Sequence, residues 1–118
     1  MKKIGFVTTN RVLAQSLAAV INSRPDWEFD PYLLLDPQQA ALDAKVLGID
    51  AAVVDMAGEG NCEALRRAVP GCWLLLLVPQ GDQAGREAAL RAIDSKAADD
   101  FVFCDTSLDY LVAKLAAI

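Results

Sequence analysis

Two stretches decide how this chain folds: Ile49–Met56, IDAAVVDM, and Cys72–Pro79, CWLLLLVP. Each is a continuous apolar run of strand length rather than an alternation, the pattern of a strand covered on both faces of a parallel sheet. Asn61–Val69, which separates them, reads as a short helix, so the pair forms a strand, a crossover and a second strand.

Working outward, Lys3–Val7 is a first strand, followed by Thr8, Thr9 and Asn10, any of which can cap a helix. From Arg11 to Arg24, Leu13, Leu17, Val20 and Ile21 recur at the three-and-four spacing of one buried helical face, and Pro25 stops the helix. Phe29–Leu35 is a further strand. Pro31 removes a backbone donor from it, which predicts a place at the sheet edge. Asp36 is expected to cap a helix with Pro37 at its first position, Ala40, Ala41, Ala44 and Leu47 on its inner face, and Gly48 at its end. Gly81–Ala84 reads as a loop and Arg86–Ser95 as a helix with Ala89, Leu90 and Ile93 inward. Phe101–Cys104 is a fifth strand, and Leu108, Leu111, Val112 and Leu115 stripe a last helix.

Five strands alternating with five helices, joined by right-handed crossovers, give a five-stranded parallel sheet with helices on both faces. This is the flavodoxin-like three-layer α/β sandwich, whose strand order is 2-1-3-4-5. Its functional crevice lies beyond the carboxyl ends of the strands, which picks out Thr8–Asn10, Asp55–Gly60, Val78–Gln83 and Cys104–Ser107.

Composition narrows the chemistry. The 118 residues fit a single domain, 1–118. At 54% hydrophobic and 23% charged, the chain can bury a core. Eleven Lys and Arg against sixteen Asp and Glu leave a net charge of -5, with no basic patch for direct nucleic-acid binding. Histidine is absent, which removes the commonest general base and metal ligand. The cysteines, Cys62, Cys72 and Cys104, lack CxxC spacing and read as reduced thiols, with Cys104 an inert thiol at the crevice. The first residues have no apolar stretch of signal-peptide length and no run spans a bilayer, so a soluble, cytoplasmic protein is expected.

At the end of the third strand stands one ionisable side chain, Asp55. Here IDAAVVDM is similar to the bacterial response-regulator receiver pattern: an apolar residue, Asp, four apolar residues and the phospho-acceptor Asp. KAADDFVFCD, residues 96–105, is similar to the receiver segment around the fifth strand. The chain therefore resembles a receiver (CheY-like) domain over essentially its whole length.

That resemblance implies a metal-binding acid pair after the first strand, an acceptor Asp, a hydroxyl after the fourth strand and a Lys after the fifth. In this sequence the acid pair falls on Thr8 and Thr9, the acceptor on Asp55, the hydroxyl on Val78 or its neighbour Pro79, and the lysine on Cys104, with Asp105 where proline usually follows. Only the acceptor is kept. Mg²⁺ binds clustered carboxylate oxygens, so binding here is expected to be weak or absent. Without cation or lysine nothing offsets charge on a transferring phosphoryl group, and even one lost electrostatic donor costs about 3 kcal/mol.

The expectation is a non-enzymatic pseudo-receiver that keeps the fold and an interaction surface. The sequence calls for no cofactor and for a protein partner: a signalling kinase, an output domain or a second copy. Phe101 and Tyr110 mark the expected face, formed by helix four, strand five and helix five, with Arg86, Arg91, Asp109 and Lys114 on its solvent side; plain core packing competes for Phe101. Two alternatives stay open: a phosphate-competent receiver with Asp55 as acceptor, and a small-anion or nucleotide module using Thr8–Asn10. The chain is either a small protein in itself or the front of a longer regulator.

Overall fold

In a computed structural model, which describes residues 2–56, 62–103 and 108–116, the five strands are β1 (Lys2–Val7), β2 (Phe29–Leu34), β3 (Ala51–Asp55), β4 (Trp73–Val78) and β5 (Asp100–Phe103). They form one parallel sheet in the order β2-β1-β3-β4-β5. The helices are α1 (Arg11–Asn22), α2 (Ala40–Leu47), α3 (Cys62–Ala68), α4 (Gln83–Asp94) and α5 (Leu108–Ala116), with a 3₁₀ turn at Pro25–Trp27.

Alternation along the strands sorts the core into two layers. Ala52 and Val54 of β3, with Leu74, Leu76 and Val78 of β4, pack on the side of α2, α3 and α4. Ala51, Val53, Leu75 and Leu77 pack with Leu17 and Ile21 of α1 and Leu111 and Leu115 of α5. Each buried leucine contributes about 1.5–3 kcal/mol, and the unbroken run Leu74–Leu77 places two on each face. That is why these segments show no alternation in sequence.

β2 lies at the edge, as Pro31 requires. Lys2 N donates to Glu28 O and Thr8 N to Leu34 O, so alternate residues from Glu28 to Leu34 turn their backbone groups toward β1. Pro31 has the opposite parity and faces the open side, where its missing N–H leaves no ladder bond unmade.

Several local expectations are corrected. α2 begins at Ala40 and not at Pro37. The Asp36 carboxylate accepts from Gln38 N and its carbonyl from Gln39 N, so the residue closes a turn around Pro37. α4 begins at Gln83, inside the expected loop, because Asp82 caps it by accepting from Gly85 N at 2.9 Å, the usual role of a carboxylate at a helix start. Gly85, between the expected loop and the expected helix, sits in the first turn. Leu90 is exposed rather than inward, since α4 approaches the sheet on Ala89, with Ala92 and Ile93 beside it. Lys114 likewise is not an open solvent-side charge: it pairs with Asp100 at the start of β5, whose carboxylate holds the ammonium above its ordinary pKa. The Val112 stripe position and Asp109 lie outside the described side chains.

Gly48 ends α2 at φ +71°. An L side chain reaches this left-handed conformation at a cost of roughly 1–2 kcal/mol. A Cβ there would meet nothing within 4 Å, so the cost is purely conformational. Gly48→Ala is expected to lower unfolding free energy by about 1 kcal/mol with an unchanged denaturant slope, read by urea titration.

Candidate functional site at the carboxyl ends of the strands

The strand order reverses between β1 and β3, so the ends of these neighbours flank the crevice. β1 ends into Thr8 and β3 ends on Asp55. Both side chains are buried, Thr8 at 4% and Asp55 at 7% exposure, and among the described residues they are the polar members of an otherwise apolar buried set. Thr8 Oγ1 donates to Asp55 Oδ2 at 2.7 Å, an ordinary length for an O–H···O bond. The same oxygen accepts from Asn10 N at 3.0 Å. Asn10 in turn caps α1, its Oδ1 accepting from Leu13 N at 3.1 Å. A chain of hydrogen bonds thus runs from the start of α1 through one hydroxyl to the carboxylate of β3.

Of the other expected site residues, Thr9 is exposed and Val78 is fully buried in the layer beneath α4. Cys104 lies outside the described residues, as do Gly58 and Gly60. Phe101 is half-buried against the core on the α4 side, its ring edge-on to Phe103 at 5.7 Å. Tyr110 is 52% exposed on α5, with the Lys114 ammonium 5.8 Å from its ring. The Thr8–Asp55 contact is the feature that sequence reasoning missed. Strand order alone makes the two ends neighbours, but the direction in which the hydroxyl points depends on the turn Thr8–Asn10.

Among the described residues, this set offers a divalent cation a single carboxylate. Mg²⁺ demands several hard oxygens and dehydrates reluctantly, and Asp55 is joined here by a hydroxyl already engaged as donor and acceptor. Among the described residues no three Asp, Glu, Cys or His side chains gather to hold a metal ion. An anion site on Thr8–Asn10 meets the same obstacle. Thr8 is committed to a carboxylate, and Asn10 to its own helix.

No protein-family model and no curated protein matches the chain. Solved structures do. A two-component response regulator from Clostridium difficile superposes with a TM-score of 0.81 at 17% identity, over 99% of this chain and 94% of that one. The chain has the fold of response-regulator receiver domains. A CheY-like receiver domain protein from Methanospirillum hungatei JF-1 gives 0.79 at 14% identity, over 99% and 92%. A response regulator from Burkholderia pseudomallei, solved with a phosphorylated aspartic acid, calcium ion and citrate, gives 0.78 at 19% identity. That match covers 96% of this chain and 65% of that one, so the receiver fold here spans about two thirds of the longer protein's length. Among the described residues no helix is long and apolar enough to cross a membrane.

Away from the crevice, Cys62 and Cys72 are free, buried thiols. Burial pushes Cys62 up, with the charge of Glu63 adding to it. Burial pushes Cys72 from 9.0 up to about 12, the nearby Arg66 opposing it only in part. A raised folded pKa means that the unfolded chain loses the proton first. The contribution is therefore complete below about 9 and is lost as pH climbs toward about 12.

Two outcomes follow. Thr8→Val leaves a buried acceptor and a backbone donor each short of a bond and is expected to cost about 1–3 kcal/mol in urea unfolding, whereas Thr8→Ser retains most of the stability. The drop in stability between pH 7 and about pH 10.5 is expected to be smaller in Cys72→Ala than in the parent; equal drops would refute the thiol's part in it.

Proposed function

We propose that the chain is a single receiver-like signalling domain that does not take a phosphoryl group by the Mg²⁺-dependent route and works by protein contact. One observation carries this reading. Where a receiver needs carboxylates around its acceptor, a threonine hydroxyl is bonded to Asp55. The attacking group in such chemistry is a carboxylate oxygen, and the transition state spreads negative charge that cations must meet. At Asp55 one oxygen is held by Thr8. Thr9 is exposed and uncharged, and Val78 is a buried aliphatic side chain with no hydroxyl. The degenerate site is thus Asp55, Thr8, Thr9, Val78 and, by its place in the sequence, Cys104.

As a non-enzymatic, cytoplasmic module, the domain answers to a protein: a signalling kinase, an output domain joined to it, or a second copy. The face of α4, β5 and α5 is the surface the receiver resemblance favours, with Phe101 beneath it and Tyr110 on it. The half-buried Phe101–Phe103 pair and the exposed Tyr110 support that assignment. A chain with net charge -5 and no basic patch is not suited to direct nucleic-acid contact. Two of the structural neighbours are described as cyclases, an adenylate cyclase from Rhodopirellula baltica and a receiver-modulated diguanylate cyclase from Pelobacter carbinolicus. The same fold thus occurs in proteins named for an output activity.

The direct test is intact-mass spectrometry after incubation with acetyl phosphate and Mg²⁺. The unmodified mass is expected at every time point. A stoichiometric phosphoryl adduct that disappears in Asp55→Asn would overturn the proposal.

A further inference from the structure

On the sheet face that carries three helices, α3 and α4 do not close on each other. α3 leans on α2 and α4 rests on β4, whereas α3 and α4 share no contact of that extent. Ala89 seats α4 on the sheet. The side that α4 turns to α3 carries Ala88, Arg91, Ala92 and Ser95, the i, i+3, i+4, i+7 positions of one helical face. Two of these side chains end at Cβ and leave a gap that α3, only seven residues long, does not fill. The gap is a cavity of about 560 Å³, a size common among small-molecule sites.

Its walls differ in chemistry. Met56, directly after β3, and the free thiol of Cys62 supply soft, polarizable surface beside the two alanines. Glu63 stands on the α3 wall and Arg91 on the α4 wall, both exposed. Neither takes part in an ion pair among the described residues, so the helix separation leaves two opposite charges lining one cavity without neutralising each other. A simple anion entering there meets the Glu63 carboxylate, and a simple cation meets the Arg91 guanidinium; a molecule that carries both charges suits both walls at once.

We propose that the cavity between α3 and α4 binds a small zwitterion of the amino-acid class. Its carboxylate pairs with Arg91, its ammonium with Glu63, and its aliphatic body lies against Met56, Ala88 and Ala92. The cavity includes neither Asp55 nor Thr8, so occupancy is independent of whether Asp55 takes phosphate.

The probe is L-leucine, titrated into the full chain while backbone amide shifts are followed by NMR. Its matched controls are leucine amide, which lacks the carboxylate, and 4-methylpentanoate, which lacks the ammonium. The expected result is saturable shifts concentrated at residue 56, at 62–66 and at 88–95, with both controls binding about tenfold more weakly than leucine. Arg91→Gln should weaken leucine about tenfold and leave leucine amide unchanged, whereas Glu63→Gln should weaken leucine and leave 4-methylpentanoate unchanged, a crossed pattern that assigns each charge to its wall. Ala88→Leu fills the cavity and should abolish the shifts, in a protein whose remaining spectrum matches the parent. Absence of saturable shifts, shifts centred elsewhere, equal affinity for leucine and its two controls, or leucine binding unaffected by these substitutions would each refute the assignment.

Discussion

A parallel sheet whose central strands are dry on both faces can hold an ionised side chain only where the strands stop, and there only if something nearby satisfies it. β3 and β4 are such strands, covered by α2, α3 and α4 on one side and by α1 and α5 on the other. The carboxylate of Asp55 comes at the last residue of β3 and remains buried. Its stability rests on the neighbouring strand end, where the Thr8 hydroxyl donates to the carboxylate and accepts from the backbone at the start of α1. That hydroxyl contributes a neutral dipole where clustered acids would contribute charge needing a cation.

The scaffold does not depend on the crevice. Leu74–Leu77, Ile4, Phe6 and Leu17 build the core whatever stands at the strand ends. Toward β5, Lys114 is neutralised by Asp100 and Tyr110 stands exposed nearby. Toward β2, Lys2 and Lys3 of β1 stand in register with Phe29 and Asp30, so acids and bases meet there too.

Much of this was legible in the residues. The strand runs, the two-sided burial of IDAAVVDM and CWLLLLVP, the edge position forced by Pro31 and the C-terminal glycine of α2 follow from periodicity and backbone chemistry, which are local properties. Thr8 and Thr9 at the end of the first strand, where the receiver resemblance implies acids, were equally plain, because residue identity is sequence information. The starts of α2 and α4 were not legible. Asp36 and Asp82 are both acids ahead of a helix; one closes a turn around Pro37 and the other caps the helix that starts at Gln83. Local composition does not separate the two outcomes, since the same side chain can serve either.

The sequence by itself determined the architecture, since the order of the elements depends on which side chains occur and how often polarity repeats. Only the tertiary structure decided that Thr8 bonds to Asp55 and that Lys114 is held by Asp100. Each of these is a meeting of residues far apart in the chain or on separate elements. Such meetings are fixed by the order of strands and the angles of helices, geometry that no single segment contains.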